Sequence, residues 1–167
     1  QRAMLDRVYK LGGDSIVGRY HYWRLHPFCL AENPLNEDPQ AMLRKLLILG
    51  GFPEPYLSGN EIEAKRWRRE RLNQVLREDV RDLEKVNEIS ALDLLLELLR
   101  TRVSGEVVYS NLALDLEKAP KTVKKWIELL ERMYLVFVVP PFSNSLPTAL
   151  KKTPKVYFFD TADVEDR

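Results

Sequence analysis

Few residues in this sequence have types and spacings suited to chemistry. His21, His26, Cys29 and Glu32 are metal-binding types close together in the chain. Alternation along an extended stretch sends His21 and His26 to opposite faces, however, and no second cluster completes a four-ligand set. No metal site is expected. Cys29 is the sole cysteine, has no identifiable base beside it, and reads as a buried structural thiol rather than a nucleophile. Ser15 follows Gly12-Gly13-Asp14 without the GxSxG spacing of a nucleophile elbow, so a turn explains it. With no paired carboxylates, no nucleophile with its base and no metal cluster, independent catalysis is not expected.

Charge offers better candidates. Lys121, Lys124 and Lys125, preceded by Lys118 and followed by Arg132, form one basic face if the segment is helical, and such a face suits phosphate oxygens. A second basic run places Lys65, Arg66, Arg68, Arg69 and Arg71 around Trp67. Glu61, Glu63, Glu70 and Glu78 stand three or four residues from these cations, which is the spacing of a solvated helix face laced by ion pairs. The lysines of the first run have the same plain reading available to them. Their place in the fold is what separates the two runs.

That place is set by the stretch from Val107 to Phe142. Pro120 suits a first helical position, after which Val123, Ile127, Leu130 and Tyr134 recur at helical spacing and face a core, with Trp126 beside them. The opposite side carries Lys121, Lys124, Lys125, Glu128 and Arg132, basic at the N-terminal end, where a groove-reading helix meets nucleic acid. A shorter helix precedes it, capped by Ser110 and bearing Leu112, Ala113 and Leu116, with Glu117-Lys118-Ala119 as the turn. Upstream, Ile89, Leu92, Leu95, Leu96, Leu99 and Val103 mark a strongly apolar helix. Downstream, Val136 to Val139 and Lys155 to Phe159 are β-branched and aromatic runs separated by Pro140-Pro141. Three helices and then two strands is winged-helix order.

The remaining segments read as follows. Gln1 to Lys10 forms a short helix ended by Gly12-Gly13, and Arg19 to Leu25 is an aromatic strand closed by Pro27. Asn33 to Asp38 is the best linker candidate. Asp38 caps a helix opened by Pro39, with Met42, Leu43, Leu46 and Leu47 as its apolar face and Gly50-Gly51 as its end. Phe52-Pro53-Glu54-Pro55 is expected to be extended. A long helix then spans residues 60–82, with Ile62, Leu72, Val75, Leu76 and Val80 facing inward. At 167 residues the chain can bury a sizeable core. The formal net charge of +1 gives no overall pull toward nucleic acid, so local clustering carries that argument. No apolar run reaches the length of a membrane span, and no signal-peptide pattern is seen, which makes the cytoplasm the expected compartment.

An ordered series of motifs covers nearly the whole chain. It runs through Leu5-Asp6-Arg7-Val8-Tyr9, Gly12-Gly13-Asp14-Ser15, Gly18-Arg19-Tyr20-His21, Arg24-Leu25-His26-Pro27-Phe28, Gly50-Gly51-Phe52-Pro53-Glu54, Leu76-Arg77-Glu78-Asp79-Val80 and Lys155-Val156-Tyr157-Phe158-Phe159-Asp160-Thr161. The series resembles the C-terminal portion of a family of bacterial and archaeal AAA+-type ATP-binding proteins, whose last region is a winged-helix domain of unknown function. The resemblance implies ATP and magnesium as cofactors of the parent protein. It also gives Arg19 a contact with nucleotide phosphate there, the alternative being an ion pair that fastens the strand. Asp160-Thr161-Ala162-Asp163 replaces the Asp-Thr-Gly of the family. This sequence has no GxxxxGK(S/T) loop and no strand ending in an acidic pair, so no cofactor is expected for the chain itself.

The expected fold is therefore mainly α with a small β component. Residues 1–32 are the end of an ATPase domain, 33–86 a helical connector and 87–167 a winged-helix domain. The expected function is that of a non-catalytic C-terminal module of an AAA+-type ATPase. It would engage DNA, RNA or a partner through Lys121, Lys124, Lys125, Arg132 and Lys118, with Lys65, Arg66, Arg68 and Arg69 as a secondary basic face. The alternative is a protein-interaction or homo-oligomerisation module with no nucleic acid. The expected partners also include the N-terminal ATPase core, and no membrane.

Overall fold

A computed structural model describes residues 25–80, 88–142 and 152–164, with the side chains of residues 78–80 set aside. Within these limits the chain is mainly helical, with a small two-stranded antiparallel sheet. The expected short N-terminal helix and most of the expected aromatic strand, with Ser15, Arg19 and His21, lie outside the described residues.

The N-terminal layer starts from a tied turn. Asn33, at the head of the expected linker, accepts from the Glu37 N–H and donates to the Glu37 carbonyl, both at 2.8 Å. Helix α1 (Pro39–Leu49) is opened as its sequence indicates, with the Asp38 carboxylate accepting the Ala41 N–H at 3.0 Å. It buries Met42, Leu46 and Leu49, whereas Leu43 and Leu47, expected on the apolar face, are exposed. Gly50 ends it at φ 86°, ψ 173°.

The expected extended segment after Gly51 is instead helix α2 (Pro53–Ser58). Phe52 is extended, as a residue before proline should be. Pro53 and Pro55 both fall in the first turn, where a helix does not use its N–H groups, so neither proline blocks it.

Helix α3 (Glu61–Gln74) is capped by Asn60, whose side-chain oxygen accepts from Ile62 and Glu63. The single helix expected to reach residue 82 is not continuous. It widens into a π-helical stretch, Val75–Val80. Its inner stripe is Ala64, Arg68, Leu72 and Leu76, recurring every four residues. Ile62 stands two positions before Ala64, on another side of the helix, and is 80% exposed rather than inward.

The C-terminal unit holds the larger core. Helix α4 (Ile89–Arg100) buries Leu92, Leu95, Leu96 and Leu99. Helix α5 (Tyr109–Asp115) packs on α6 (Pro120–Arg132), which buries Val123, Trp126, Ile127, Leu129 and Leu130. Ser110 does not cap α5. It lies inside the first turn, and extended Val108 occupies the capping position without a side-chain hydrogen bond. Tyr134, expected to continue the α6 stripe, sits beyond the helix end at φ 57°, its ring 5.3 Å from that of Phe159.

Strands β1 (Val136–Val139) and β2 (Lys155–Phe158) pair in register, Val136 with Phe158 and Phe137 with Tyr157. Their inner residues Val136, Val156 and Phe158 close the core below α4 and α6. The segment between α4 and α5 adds a short third arm that the sequence did not announce. Glu106 bridges Lys155 antiparallel, and the Val107 N–H donates to the Pro154 carbonyl at 2.8 Å.

The chain then returns to the N-terminal layer through a 3₁₀ turn, Thr161–Asp163. Buried Asp160 accepts the Gly51 N–H at 3.0 Å, and the Thr161 hydroxyl donates to the Leu46 carbonyl at 2.9 Å. Asp163 pairs with Arg71 of α3 at 2.5 Å, while its carbonyl accepts from Arg100 of α4 at 2.7 Å.

Candidate nucleic-acid interface

Helix α6 is strongly two-sided. Lys121, Lys124, Lys125, Glu128 and Arg132 all lie on its exposed side, opposite the buried stripe. Among the described residues Lys121 and Lys125 enter no ion pair, and Lys124 approaches Glu128 only to 4.0 Å. The three lysines stand in the first half of the helix, and Arg132 is the basic residue of its last turn. Towards its end, Glu131 accepts the Val138 N–H of β1 at 3.0 Å. Burial first, and then the Glu128 and Glu131 carboxylates, hold the Tyr109 hydroxyl above its ordinary pKa. Lys118 belongs to the same neighbourhood but is partly engaged, with its ammonium 2.9 Å from Glu88. Arg132 is exposed at the last turn.

The secondary basic face is not one surface. Lys65 pairs with Glu61 at 3.0 Å and Arg66 with Glu70 at 3.6 Å, as i,i+4 spacing allows. Arg69 is exposed. Arg68 is buried, 3% exposed, and donates to the carbonyls of Ile48 and Leu49 at 3.1 and 3.4 Å. Arg68 must therefore be removed from the solvent-facing set. It satisfies the last carbonyls of α1, a task for which a long forked cation on the inner stripe is suited. Arg71 also turns inward, stacking over Phe52 at 4.4 Å and pairing with Asp163.

Among the described residues no group of three or more His, Cys, Asp and Glu side chains could hold a metal ion. His26 stacks on Phe159 with ring centroids 5.6 Å apart. Cys29 is exposed, not the buried thiol expected, and its N–H donates to Glu32 at 3.0 Å. No described helix is long and apolar enough to cross a membrane.

Little in the sequence signals that the acidic turn Asp160 to Asp163 is buried. Its signal is weak, since two aspartates three residues apart near a basic helix do not announce burial.

No curated protein and no solved structure matches the chain. The family model of a domain of unknown function, DUF8612, matches residues 40–162. That span takes in nearly all of α1, all of α2 to α5 and the basic face of α6, and the chain belongs to the DUF8612 family.

Proposed function

We propose that this chain is a non-catalytic module that engages nucleic acid phosphates through the first half of α6, as the C-terminal part of an AAA+-type ATPase. The observation that carries the reading is the pair of exposed lysines, Lys121 and Lys125, unpaired among the described residues and set on the second helix of a helix–turn–helix pair. The order of elements supports a winged helix. Helix α4, the short arm at Glu106, helices α5 and α6, and then β1 and β2 follow one another, with the arm bridging β2. The ATPase link is supported by the motif series and by that alone. ATP and magnesium belong to the parent protein by resemblance. This sequence carries no phosphate-cradling GxxxxGK(S/T) loop, so no nucleotide step is assigned to it.

Fluorescence anisotropy with duplex DNA and with RNA across a salt series tests the proposal. Each lysine–phosphate contact releases about 0.9 counterion per duplex phosphate, so removing Lys121, Lys124 and Lys125 together should lower the slope of log affinity against log salt by about 3. Single Lys→Glu changes should weaken unrelated sequences alike, because phosphate contacts do not read bases. If wild-type protein at about 50 µM, inside the usual non-specific range, shows no salt-sensitive binding to either polymer, the proposal is wrong. The alternative, a protein-interaction module, is favoured by the exposed apolar residues Leu43, Leu47 and Ile48 of α1.

A further inference from the structure

Most of the buried apolar residues fall into two separate groups. Met42, Leu46 and Tyr56, joined by Phe28, form the core of the N-terminal layer. The core of the C-terminal unit runs from Leu76 through α4, α5 and α6 to Phe158. Besides the His26–Phe159 stack, two connections of different character join these bodies. One is helix α3, whose Ala64 and Arg68 lie buried in the layer while Leu72 and Leu76 pack with the C-terminal core. The other is the Asp160 to Asp163 turn, which reaches α1, α3 and α4 mostly through polar contacts.

We propose that this turn is a latch and the π-helical stretch Val75–Val80 its hinge, so that α1 and α2 can swing as a body away from the α4–α6 unit. The hinge is the point at which α3 leaves regular α geometry. Such π stretches are rare and cluster at functional positions, because their wider ladder is a local departure that the rest of the fold must support.

The latch combines a specific fit with incomplete satisfaction. Gly50 leaves room for the Asp160 carboxylate, and a Cβ there would stand 2.6 Å from Oδ2. Oδ1 holds the Gly51 and Ala162 N–H groups. Oδ2 is buried with no partner among the described residues. A buried carboxylate with one oxygen unpaired returns part of its attraction as desolvation, so the closed state is chosen by shape while its opening is not prohibitively uphill. At Asp163 one residue ties two helices, its side chain to Arg71 and its carbonyl to Arg100. Breaking the Arg71 pair therefore frees α3 while the Asp163 carbonyl keeps the turn on α4. Motion of packed bodies about a few element-terminal residues is the established form of a hinge.

Pulsed electron–electron resonance on the full chain tests this. Cys29→Ser removes the native thiol, and spin labels at Arg44→Cys on α1 and Asn111→Cys on α5 report the distance between bodies. With the latch intact, one narrow distance distribution is expected. The double change Asp160→Ala with Asp163→Ala, which removes the acceptors of the Gly51 amide and of the Arg71 guanidinium, should broaden it at least about twofold, with helical circular dichroism unchanged, as expected for hinge motion rather than unfolding. A distribution as narrow as the parent's in a folded variant would overturn the latch. If the double variant loses its helix signal cooperatively, Arg71→Met, which keeps most of the side-chain volume, is read in its place, and a cooperative loss there too would overturn the latch by making the turn a part of one indivisible fold.

Discussion

Replacing Gly50 with alanine puts the seat of Asp160 to a quantitative test. At φ 86° and ψ 173° the backbone lies in a region open essentially to glycine, so a side chain brings about 1–3 kcal/mol of strain. The new Cβ would also stand 2.6 Å from Asp160 Oδ2 and 2.8 Å from Oδ1, and the carboxylate must move. In moving it gives up the 3.0 Å bond from the Gly51 N–H, and a buried donor left unpaired costs about 1–3 kcal/mol more. The expected loss is the sum, about 2–6 kcal/mol, against about 5–15 kcal/mol for the whole stability of a typical domain. A double-mutant cycle separates the two parts. In an Asp160→Ala background the collision is gone and only strain is left, so the cycle should return a coupling of about 1–3 kcal/mol. Urea unfolding followed by far-ultraviolet circular dichroism, with unchanged m-values, supplies the four stabilities. Additivity within about 0.5 kcal/mol would refute the reasoning.

Three further outcomes follow from the same contacts. Burial first, and then the neighbouring Asp163 carboxylate, hold the Asp160 carboxyl above its ordinary 3.8. The folded chain thus binds this proton more tightly than the unfolded chain, and stability should fall as pH rises from about 3.8 through the raised value, then level off. Asp160→Asn should remove that part of the slope in urea midpoints taken from about pH 4 to pH 7. Trp126 is 7% exposed, so Trp126→Ala should destabilise by about 3–5 kcal/mol, and a loss under about 1 kcal/mol would place the ring outside the core. Arg68→Ala should cost about 2–3 kcal/mol by stranding the Ile48 and Leu49 carbonyls, whereas Arg69→Ala, one residue along on the exposed side, should stay within about 0.5 kcal/mol; equal effects in thermal melts would contradict the buried placement.

Where apolar spacing was long and regular, the sequence could be read directly. Helices α4 and α6 needed only Leu92, Leu95, Leu96 and Leu99, and Val123, Ile127 and Leu130, to declare their buried faces, and the β-branched runs of β1 and β2 announced a pair. Proline misled at α2, because its extended preference for the preceding residue and its tolerance in a first helical turn point to different structures, and the turn prevailed. Charge misled at Arg68, whose side chain is long enough to serve a carbonyl inside the layer while its neighbours stay wet. The lysines of α6 were found because their helix has a strong opposite stripe. The Asp160 turn was not, since its partners Gly51, Leu46, Arg71 and Arg100 lie far from it in sequence and no period links them.

That remoteness has a consequence for synthesis. The bond from Gly51 to Asp160 spans 109 residues and that from Thr161 to Leu46 spans 115. Chains emerge from the ribosome N-terminus first, at about 5–20 residues per second. Helix α1 is therefore made about 5–25 s before the turn that fastens its end, and it must spend that interval without the Asp160 partner of the Gly51 amide and the Thr161 partner of the Leu46 carbonyl. A nascent chain of this kind presents the end of that helix to chaperones, or to a neighbouring chain on the same messenger, before it can close that end on itself.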